Sequence, residues 1–254
     1  MENEPRFMIV SLPRTGSTAL AQLLSCDARV RCIVEPFHPF RYGGRYHACA
    51  TNQSLEEALN LIWSEWNSFK HVWDMKGFPF FKRPQLNSDV LYTAACKVVL
   101  LTRRNILRRL VSQHLSRKTQ TWIGPREAFI ARLRTTNVAP LDPSDVRREI
   151  QDELTALAEQ RRLLSNHHVE FMELEYENLF SDSVAAHEQH SLLNEVLTFV
   201  GLGSVQDNTI VARWAEILDP SRHQWAAPDV YRRIPGIDHL DETVGDDATG
   251  WLFR

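Results

Sequence analysis

The segment from Leu12 to Thr18 (LPRTGST) joins a short apolar run to a helical pattern. Gly16 would let the backbone approach a ligand closely, and the N–H groups at a helix start point toward an anion. Ser17 and Thr18 add hydroxyl donors, and Arg14 adds a permanent positive charge. A purely structural turn would not need an arginine beside Gly-Ser-Thr. We therefore predict that this loop binds an anion.

A second basic stretch follows the apolar run from Lys97 to Thr102. Arg103 and Arg104 stand where the predicted strand ends and a helix starts, and a serine follows two turns later. An arginine can hold a phosphate group bidentately, so this stretch predicts a second phosphate-binding site. The next two arginines, Arg108 and Arg109, are expected to lie on a solvated helix face.

The first loop differs from the P-loop of nucleoside triphosphatases. That motif is GxxxxGK[ST], whereas Ser17 precedes Thr18 here and no glycine opens the loop. The second apolar run continues into arginines rather than into an aspartate that could hold magnesium. The sequence therefore predicts an anion site without a metal ion.

Five apolar runs of strand length alternate with helical patterns along the chain. They are Phe7–Leu12, Val30–Val34, His71–Met75, Lys97–Thr102 and Val169–Leu174. Nearly continuous apolar runs are typical of strands covered on both faces of a parallel sheet. We predict an α/β fold with a P-loop-like, doubly wound sheet of about five parallel strands flanked by helices, with the ligand at the carboxyl ends of the strands.

Helix boundaries are marked at three places between these runs. Ser54 and Glu57 form a capping box ahead of an apolar helix face. The segment Asp142–Ser144 starts a long helix, and Gly201 ends a helix over Leu192–Val200. These signals support the alternation of strands and helices.

Four motifs, in this order along the chain, resemble those of the PAPS-dependent sulfotransferases, where PAPS is 3′-phosphoadenosine 5′-phosphosulfate. The LPRTGST loop resembles the 5′-phosphosulfate loop, and the strand followed by RRN, with a serine eight residues after Arg104, resembles the 3′-phosphate motif. Tyr176–Leu179 (YENL) and Phe199–Leu202 (FVGL) resemble the family's YEDL-like and FLGL segments. Together the matches cover most of Phe7–Leu202.

The resemblance implies roles for individual residues. It assigns the 5′-phosphosulfate to Arg14, Thr15, Gly16, Ser17 and Thr18. It assigns the 3′-phosphate to Ser112 with Arg103 or Arg104, and counting back from the serine favours Arg104. The RKGxxGDW segment that also holds the 3′-phosphate in eukaryotic cytosolic members is absent here. Its expected replacements are Arg222, Arg232 or Arg233.

The tail of the chain instead resembles that of bacterial small-molecule sulfotransferases, including the trehalose sulfotransferase-like branch. In that branch a glutamate just after the second strand is the candidate base, and Glu35 stands at this position. His38, with an ordinary pKa of about 6.5, is the rival base. Lys76 is expected to reach the bridging oxygen or the acceptor. Trp73 and Phe78–Phe81 are expected to belong to the core rather than to wall an acceptor pocket.

The resemblance implies an enzyme that transfers a sulfuryl group in line from PAPS to a hydroxyl or amine of a small-molecule acceptor. Adenosine 3′,5′-bisphosphate would be the second product. Two alternatives from other classes stay open. A P-loop-type nucleotide-dependent kinase would require ATP with magnesium, and a non-catalytic adenosine-bisphosphate binding protein would be indifferent to loss of Glu35.

The bulk composition is that of an ordinary globular chain. Its 254 residues are 43% hydrophobic, and one domain over residues 1–254 is expected, with 219–254 an irregular C-terminal segment over the core. The net charge of -3 gives no reason to expect nucleic-acid binding. Four scattered cysteines predict reduced thiols, and no signal peptide or membrane span is evident, so a cytoplasmic location is expected. The oligomeric state stays open, a homodimer included.

Overall fold

The computed structural model describes residues 4–73, 85–122, 126–219 and 228–254. The chain separates into two compact units. Unit 1 consists of the described residues within Met1–Thr102 and Ala158–Ile217, and unit 2 of those within Arg103–Leu157 and Leu218–Arg254. Each unit is therefore built from two separate stretches of chain. The single domain predicted for residues 1–254 stays a prediction.

Unit 1 contains a five-stranded, all-parallel sheet, which confirms the predicted fold class. The strands are β1 (Phe7–Ser11), β2 (Cys32–Val34), β3 (Ser68–Val72), β4 (Lys97–Thr102) and β5 (Phe171–Glu175). Their spatial order is β2-β3-β1-β4-β5. The chain leaves β1 toward β2 and leaves β4 toward β5, so the topological switch point lies between β1 and β4. Ligands of doubly wound sheets bind at the carboxyl ends of the strands beside such a point.

Helices fill the connections between these strands and form most of unit 2. In chain order they are α1 (Ser17–Leu24), α2 (Arg45–Asn52), α3 (Leu55–Glu65), α4 (Leu86–Thr93), α5 (Ile106–Thr119), α6 (Arg126–Thr135), α7 (Pro143–Asn166), α8 (Tyr176–Phe180), α9 (Ala186–Phe199), α10 (Asn208–Leu218), α11 (Pro228–Tyr231) and α12 (Ile237–Val244). No helix in the described parts of the chain is long and apolar enough to cross a membrane.

The central strands are apolar because they are covered on both faces. Every residue of β1 is buried, and β4 is buried from Val98 onward. Such strands expose no polar face to water. Lys70, in the middle of β3, is a charged residue with only 4% of its surface exposed. A buried charge of this kind requires a partner.

The helix boundaries that the sequence marked are confirmed, except that α9 begins at Ala186 rather than at Leu192. Oγ of Ser54 accepts a hydrogen bond from the N–H of Glu57 at 3.0 Å, and α3 begins at the next residue. The long helix α7 begins within Asp142–Ser144. Gly201 follows the C-cap of α9 with a φ of 93°. That left-handed conformation is the reason that a glycine ends the helix.

Strand boundaries agree less well with the predictions. The structure places β3 at Ser68–Val72 rather than at His71–Met75, and β5 at Phe171–Glu175 rather than at Val169–Leu174. The predicted first and second strands are also shorter, ending at Ser11 and starting at Cys32. Strand ends are set by pairing with neighbours, as where Ser68 pairs with both Phe7 and Cys32, and not by apolar content alone.

The core of unit 2 is formed by helices. Its buried side chains come from α5, α6, the first part of α7, and the segment after residue 228. In that last segment Tyr231, Leu240 and Leu252 are almost fully buried. The described part of 219–254 therefore includes helices α11 and α12 and contributes to a core of its own unit.

Candidate functional site

The predicted anion loop lies between the carboxyl end of β1 and the first turn of α1. Arg14 and Gly16 both have left-handed backbone conformations, with φ angles of 64° and 88°. Glycine adopts this region without a steric penalty, whereas at Arg14 it costs about 1–2 kcal/mol. Turns with left-handed residues can direct successive N–H groups into a concavity that suits an anion. Strain at a charged residue in such a turn is typical of functional loops.

Tyr176 explains why residue 16 is a glycine. A Cβ atom on Gly16 would lie 2.8 Å from two ring carbons of Tyr176 and 3.3 Å from Phe180. These two aromatic rings, both from α8, stack with their centroids 4.8 Å apart. The YENL segment thus packs directly against the LPRTGST loop. Two of the four motifs that resemble the sulfotransferases are neighbours within unit 1.

The hydroxyl groups of the loop have different environments. Thr15 is buried, and its Oγ1 donates to the Leu12 carbonyl at 2.8 Å, which closes the turn. Ser17 is buried in the first turn of α1. Thr18 is half-buried, and its Oγ1 accepts a hydrogen bond from Nζ of Lys70 at 2.8 Å. Thr15 therefore shapes the loop, whereas Thr18 connects the loop to the sheet.

Glu35 directly follows β2 and contacts β3. The strand register pairs Val34 with Lys70, and the N–H of Glu35 donates to the Lys70 carbonyl at 2.8 Å. On the side chains, Nζ of Lys70 donates to Oε1 of Glu35 at 2.7 Å. Because the same ammonium group binds Thr18, it joins the residue after β2 to the helix after the anion loop. Glu35 is also left-handed, with a φ of 53°.

Arg41 is a second cation on the Glu35 carboxylate. Its Nε donates to Oε2 at 3.0 Å, so each carboxylate oxygen contacts one cation. Burial alone would raise the pKa of Glu35, but Lys70, Arg41 and His38 together bring it below its ordinary value. The carboxylate is therefore ionised at neutral pH.

Lys70 itself is held in an unusual environment. Its side chain is 5% exposed. Burial lowers the pKa of Lys70, Glu35 opposes that change, and the positive charges of Arg41 and Arg14 add to it. The ammonium group is thus stabilised chiefly by one carboxylate, with two guanidinium groups working against it.

Lys70 was not predicted as a site residue, because the third strand was predicted three residues too late. The residue predicted at that strand end was Lys76, which lies outside the described residues. A detectable signal was present, since Lys70 stands between Phe69 and His71 in a run that the sheet must cover. A lysine that water cannot reach implies an acidic partner nearby.

His38, the rival base, lies in the loop between β2 and α2. Its backbone N–H donates to the Glu35 carbonyl at 3.1 Å, and its Nδ1 accepts from the N–H of Phe40 at 3.3 Å. Burial lowers the pKa of His38, and Glu35 partly opposes this. The loop is anchored by Tyr42, whose hydroxyl bonds both the N–H and the carbonyl of Val34 at 3.1 Å. Both base candidates therefore sit on an anchored loop.

The 3′-phosphate candidates lie in unit 2, around the start of α5. Arg104 is exposed, Arg103 is half-buried, and Ser112 is buried at 6% exposure. Burial lowers the pKa of Arg109, and the charge of Arg103 adds to that change. Burial raises the pKa of Glu153, and Arg103 partly opposes this. Arg104 is the more exposed of the two arginines and remains the preferred candidate.

Arg108 and Arg109 do not lie on a solvated helix face, so that prediction was wrong. Arg109 is fully buried, and its Nε donates to Glu153 at 2.7 Å while its Nη1 donates to Gln113 at 2.5 Å. Arg108 is half-buried, and its guanidinium donates to the Leu252 carbonyl at 2.9 and 3.1 Å. Helix α5 is covered by α7 and by the end of the chain, and neither contact is visible in local sequence.

The other predicted residues are Lys76, the three arginines proposed for the 3′-phosphate near the end of the chain, and the aromatic residues after β3. Lys76, Arg222 and Phe78–Phe81 lie outside the described residues. Arg232 and Arg233 are exposed, and the guanidinium of Arg232 lies 4.6 Å from the Phe253 ring centroid. Trp73 is buried at 7% exposure, as expected for a core residue.

In unit 1 the structure brings together an arginine-bearing loop, a buried lysine and a carboxylate. This arrangement can bind an anion through the loop and accept a proton through Glu35 or His38. In the described part of the chain, no three His, Cys, Asp or Glu side chains form a group that could hold a metal ion. No protein-family model matches the chain, and no curated protein matches it significantly. The roles of these residues therefore rest on their contacts, charges and motifs.

Proposed function

We propose that this protein is a sulfotransferase that moves a sulfuryl group from PAPS to a hydroxyl or amine of a small-molecule acceptor. The observation that carries the proposal is the Thr18–Lys70–Glu35 chain, with links of 2.8 and 2.7 Å. It connects an anion loop to a carboxylate at one end of the sheet. Group transfer between bound partners needs both an anion clamp and a base.

The charges around the loop favour an anionic donor. Lys70 is influenced by two further cations, Arg41 and Arg14, and by one anion, Glu35. The phosphosulfate group of PAPS is an anion, and cations at the loop would attract it. Oxygen atoms of that group are acceptors only, and they match the guanidinium, hydroxyl and N–H donors of the loop.

In the proposed reaction an acceptor oxygen forms a bond to sulfur while the bond between sulfur and the bridging oxygen of PAPS breaks. The electron pair of the broken bond stays on the phosphate, which leaves as adenosine 3′,5′-bisphosphate. The proton of the acceptor hydroxyl passes to Glu35, or to His38 if that residue is the base. Arg14 and the loop N–H groups stabilise the charge that develops on the leaving phosphate.

The nucleotide end of the donor is assigned only by resemblance. Arg104 with Ser112 would hold the 3′-phosphate, and Arg103 is the alternative arginine. Neither Lys76 nor Arg222 lies among the described residues, so their expected contributions remain predictions. The role of each of these residues is to be tested with a separate alanine variant.

The deciding experiment is a calorimetric titration with adenosine 3′,5′-bisphosphate in the absence of magnesium, beside a titration with ATP and magnesium. We expect bisphosphate binding to weaken about 10- to 100-fold in Arg14→Ala and in Arg104→Ala, because each loses charge-assisted hydrogen bonds. Arg31→Ala and Arg148→Ala are matched controls, since both arginines form exposed ion pairs. They should leave the affinity unchanged.

The same titrations, together with a transfer assay, distinguish the sulfotransferase from the kinase and from the non-catalytic binding protein. Binding of ATP with magnesium but not of the bisphosphate would overturn the proposal and favour a kinase. Bisphosphate binding without transfer from labelled PAPS to any of a panel of hydroxyl and amine acceptors would favour a non-catalytic binding protein. Where transfer occurs, Glu35→Gln should lower turnover about 100-fold or more with little change in bisphosphate affinity.

A further inference from the structure

One ammonium group, that of Lys70, is shared between the anion loop and the candidate base. Its Nζ lies 2.8 Å from Oγ1 of Thr18 and 2.7 Å from Oε1 of Glu35. The three residues come from three different elements, namely β3, α1 and the end of β2. With its side chain 5% exposed, Lys70 has little access to water as an alternative partner. A change at one of its contacts must therefore affect the other.

The Thr18 hydroxyl can link Lys70 to an anion bound in the loop. An ammonium group can only donate, so Oγ1 of Thr18 acts as the acceptor from Lys70. The hydroxyl keeps its own proton, which it can donate to an anion in the loop. Lys70 would thus strengthen Thr18 as a donor, because hydrogen bonds in a chain polarise one another.

Two cations contact the Glu35 carboxylate. Lys70 donates to one of its oxygens and Arg41 to the other. Arg14 acts on Lys70 from the loop side. A carboxylate so strongly stabilised is a poor proton acceptor, since a base works best when its pKa lies near the operating pH.

We propose that Lys70 is a positioning residue whose ammonium group is divided between Glu35 and the donor anion, so that anion binding at the loop weakens its hold on Glu35 and lets this carboxylate take up a proton more readily. The proposal rests on the proposed function for the identity of the donor and for Glu35 as the base. It adds that the base reaches its working state only when the donor is bound.

Reciprocity makes this coupling measurable without turnover. If anion binding favours protonation of Glu35, protonation of Glu35 must favour anion binding by the same factor. Inorganic sulfate is the suitable probe because it does not itself titrate in the relevant pH range. We expect its affinity to rise about fivefold as the pH falls from 7 to 4.5, with proton uptake on binding, a size typical of coupled sites.

The measurement is calorimetry with sulfate in pairs of buffers that differ in ionisation enthalpy, which counts the protons taken up. Glu35→Gln should abolish the part of the uptake that belongs to Glu35, whereas His38→Gln should retain it. Lys70→Met should lose at least half of that uptake, and Lys70→Arg should keep it because the charge remains. Thr18→Val, a variant of similar shape, should weaken sulfate binding and reduce the uptake if Lys70→Met does not fold.

The outcomes separate this proposal from the proposed function. Glu35-dependent uptake that is unchanged in Lys70→Met and Thr18→Val would overturn the proposal, because direct repulsion between the anion and Glu35 would then account for it. Coupled sulfate binding without any bisphosphate binding would overturn the donor assignment and leave the Lys70 proposal standing. If neither sulfate nor the bisphosphate binds, both proposals fail.

Discussion

Two buried ion pairs, one in each unit, have similar chemistry and different surroundings. In unit 1 the Lys70 ammonium binds Glu35, whose side chain is 21% exposed and also contacts Arg41. In unit 2 the Arg109 guanidinium binds Glu153, and these side chains are 0% and 1% exposed. Gln113 accepts a further hydrogen bond from Arg109. The Lys70–Glu35 pair is partly exposed and has a second cation, Arg41, and we call it the open pair; the Arg109–Glu153 pair is fully buried, and we call it the closed pair.

The pKa directions reflect this difference. Burial raises the pKa of Glu153 above its ordinary value even though Arg109 opposes the change. At Glu35 burial acts in the same direction, but the neighbouring cations prevail and lower the pKa. The closed pair is therefore suited to hold α5 against α7, and the open pair is suited to exchange partners with a ligand. A buried salt bridge alone does not distinguish the two roles; the extra charges and the exposure do.

The largest loss of stability is expected when the closed pair, Arg109 with Glu153, is disrupted. Glu153→Leu should lower the free energy of unfolding by about 3–5 kcal/mol, because it leaves a buried guanidinium without its carboxylate. Lys70→Met should cost less, about 1–3 kcal/mol, since Glu35 keeps Arg41 and some contact with water. Urea unfolding of both variants gives the comparison.

The double variant Arg109→Met with Glu153→Leu is the matched control for that prediction. It removes both charges, so it should recover most of the lost stability. If Lys70→Met proved as destabilising as Glu153→Leu, the contrast between an open and a closed pair would be wrong.

A smaller effect tests the packing of the anion loop. Gly16→Ala should destabilise the protein by about 1–3 kcal/mol and weaken bisphosphate binding, because it adds left-handed strain and a contact of 2.8 Å with Tyr176. Gly203→Ala is the control, since Gly203 has a φ of 70° but nothing within 4 Å of an added Cβ. The two variants should differ in unfolding free energy. Equal losses would show that backbone strain alone accounts for the effect.

The smallest expected effect is the pH dependence of the open pair. Because the folded-state pKa of Glu35 is lowered, its ion pairs contribute stability above the unfolded-state pKa, and this contribution is lost as the pH falls through the lower folded-state value. The stability difference between the wild type and Glu35→Gln should therefore be constant near neutral pH and shrink below about pH 4.5. Thermal unfolding across pH 3–7 measures it. A difference that grew toward low pH would contradict the assigned direction.

Local sequence determined the fold class and several boundaries of this protein. The continuous apolar run of β4, the capping box at Ser54 and the glycine after α9 act through neighbours in the chain, and they were predicted correctly. The loop between β1 and α1 was predicted on the same basis. Each of these features depends on backbone propensity or on contacts within a few residues.

Tertiary structure alone decided which charged residues share a partner. Lys70 meets Glu35 because the β2–β3 register pairs Val34 with Lys70, a contact 35 residues apart along the chain. Arg109 is buried because α7 supplies Glu153, 44 residues away. Burial and ion pairing depend on which elements pack together, and spacing along the chain does not encode that. The predicted site residues were therefore found from local motifs, while the buried lysine that joins them was not.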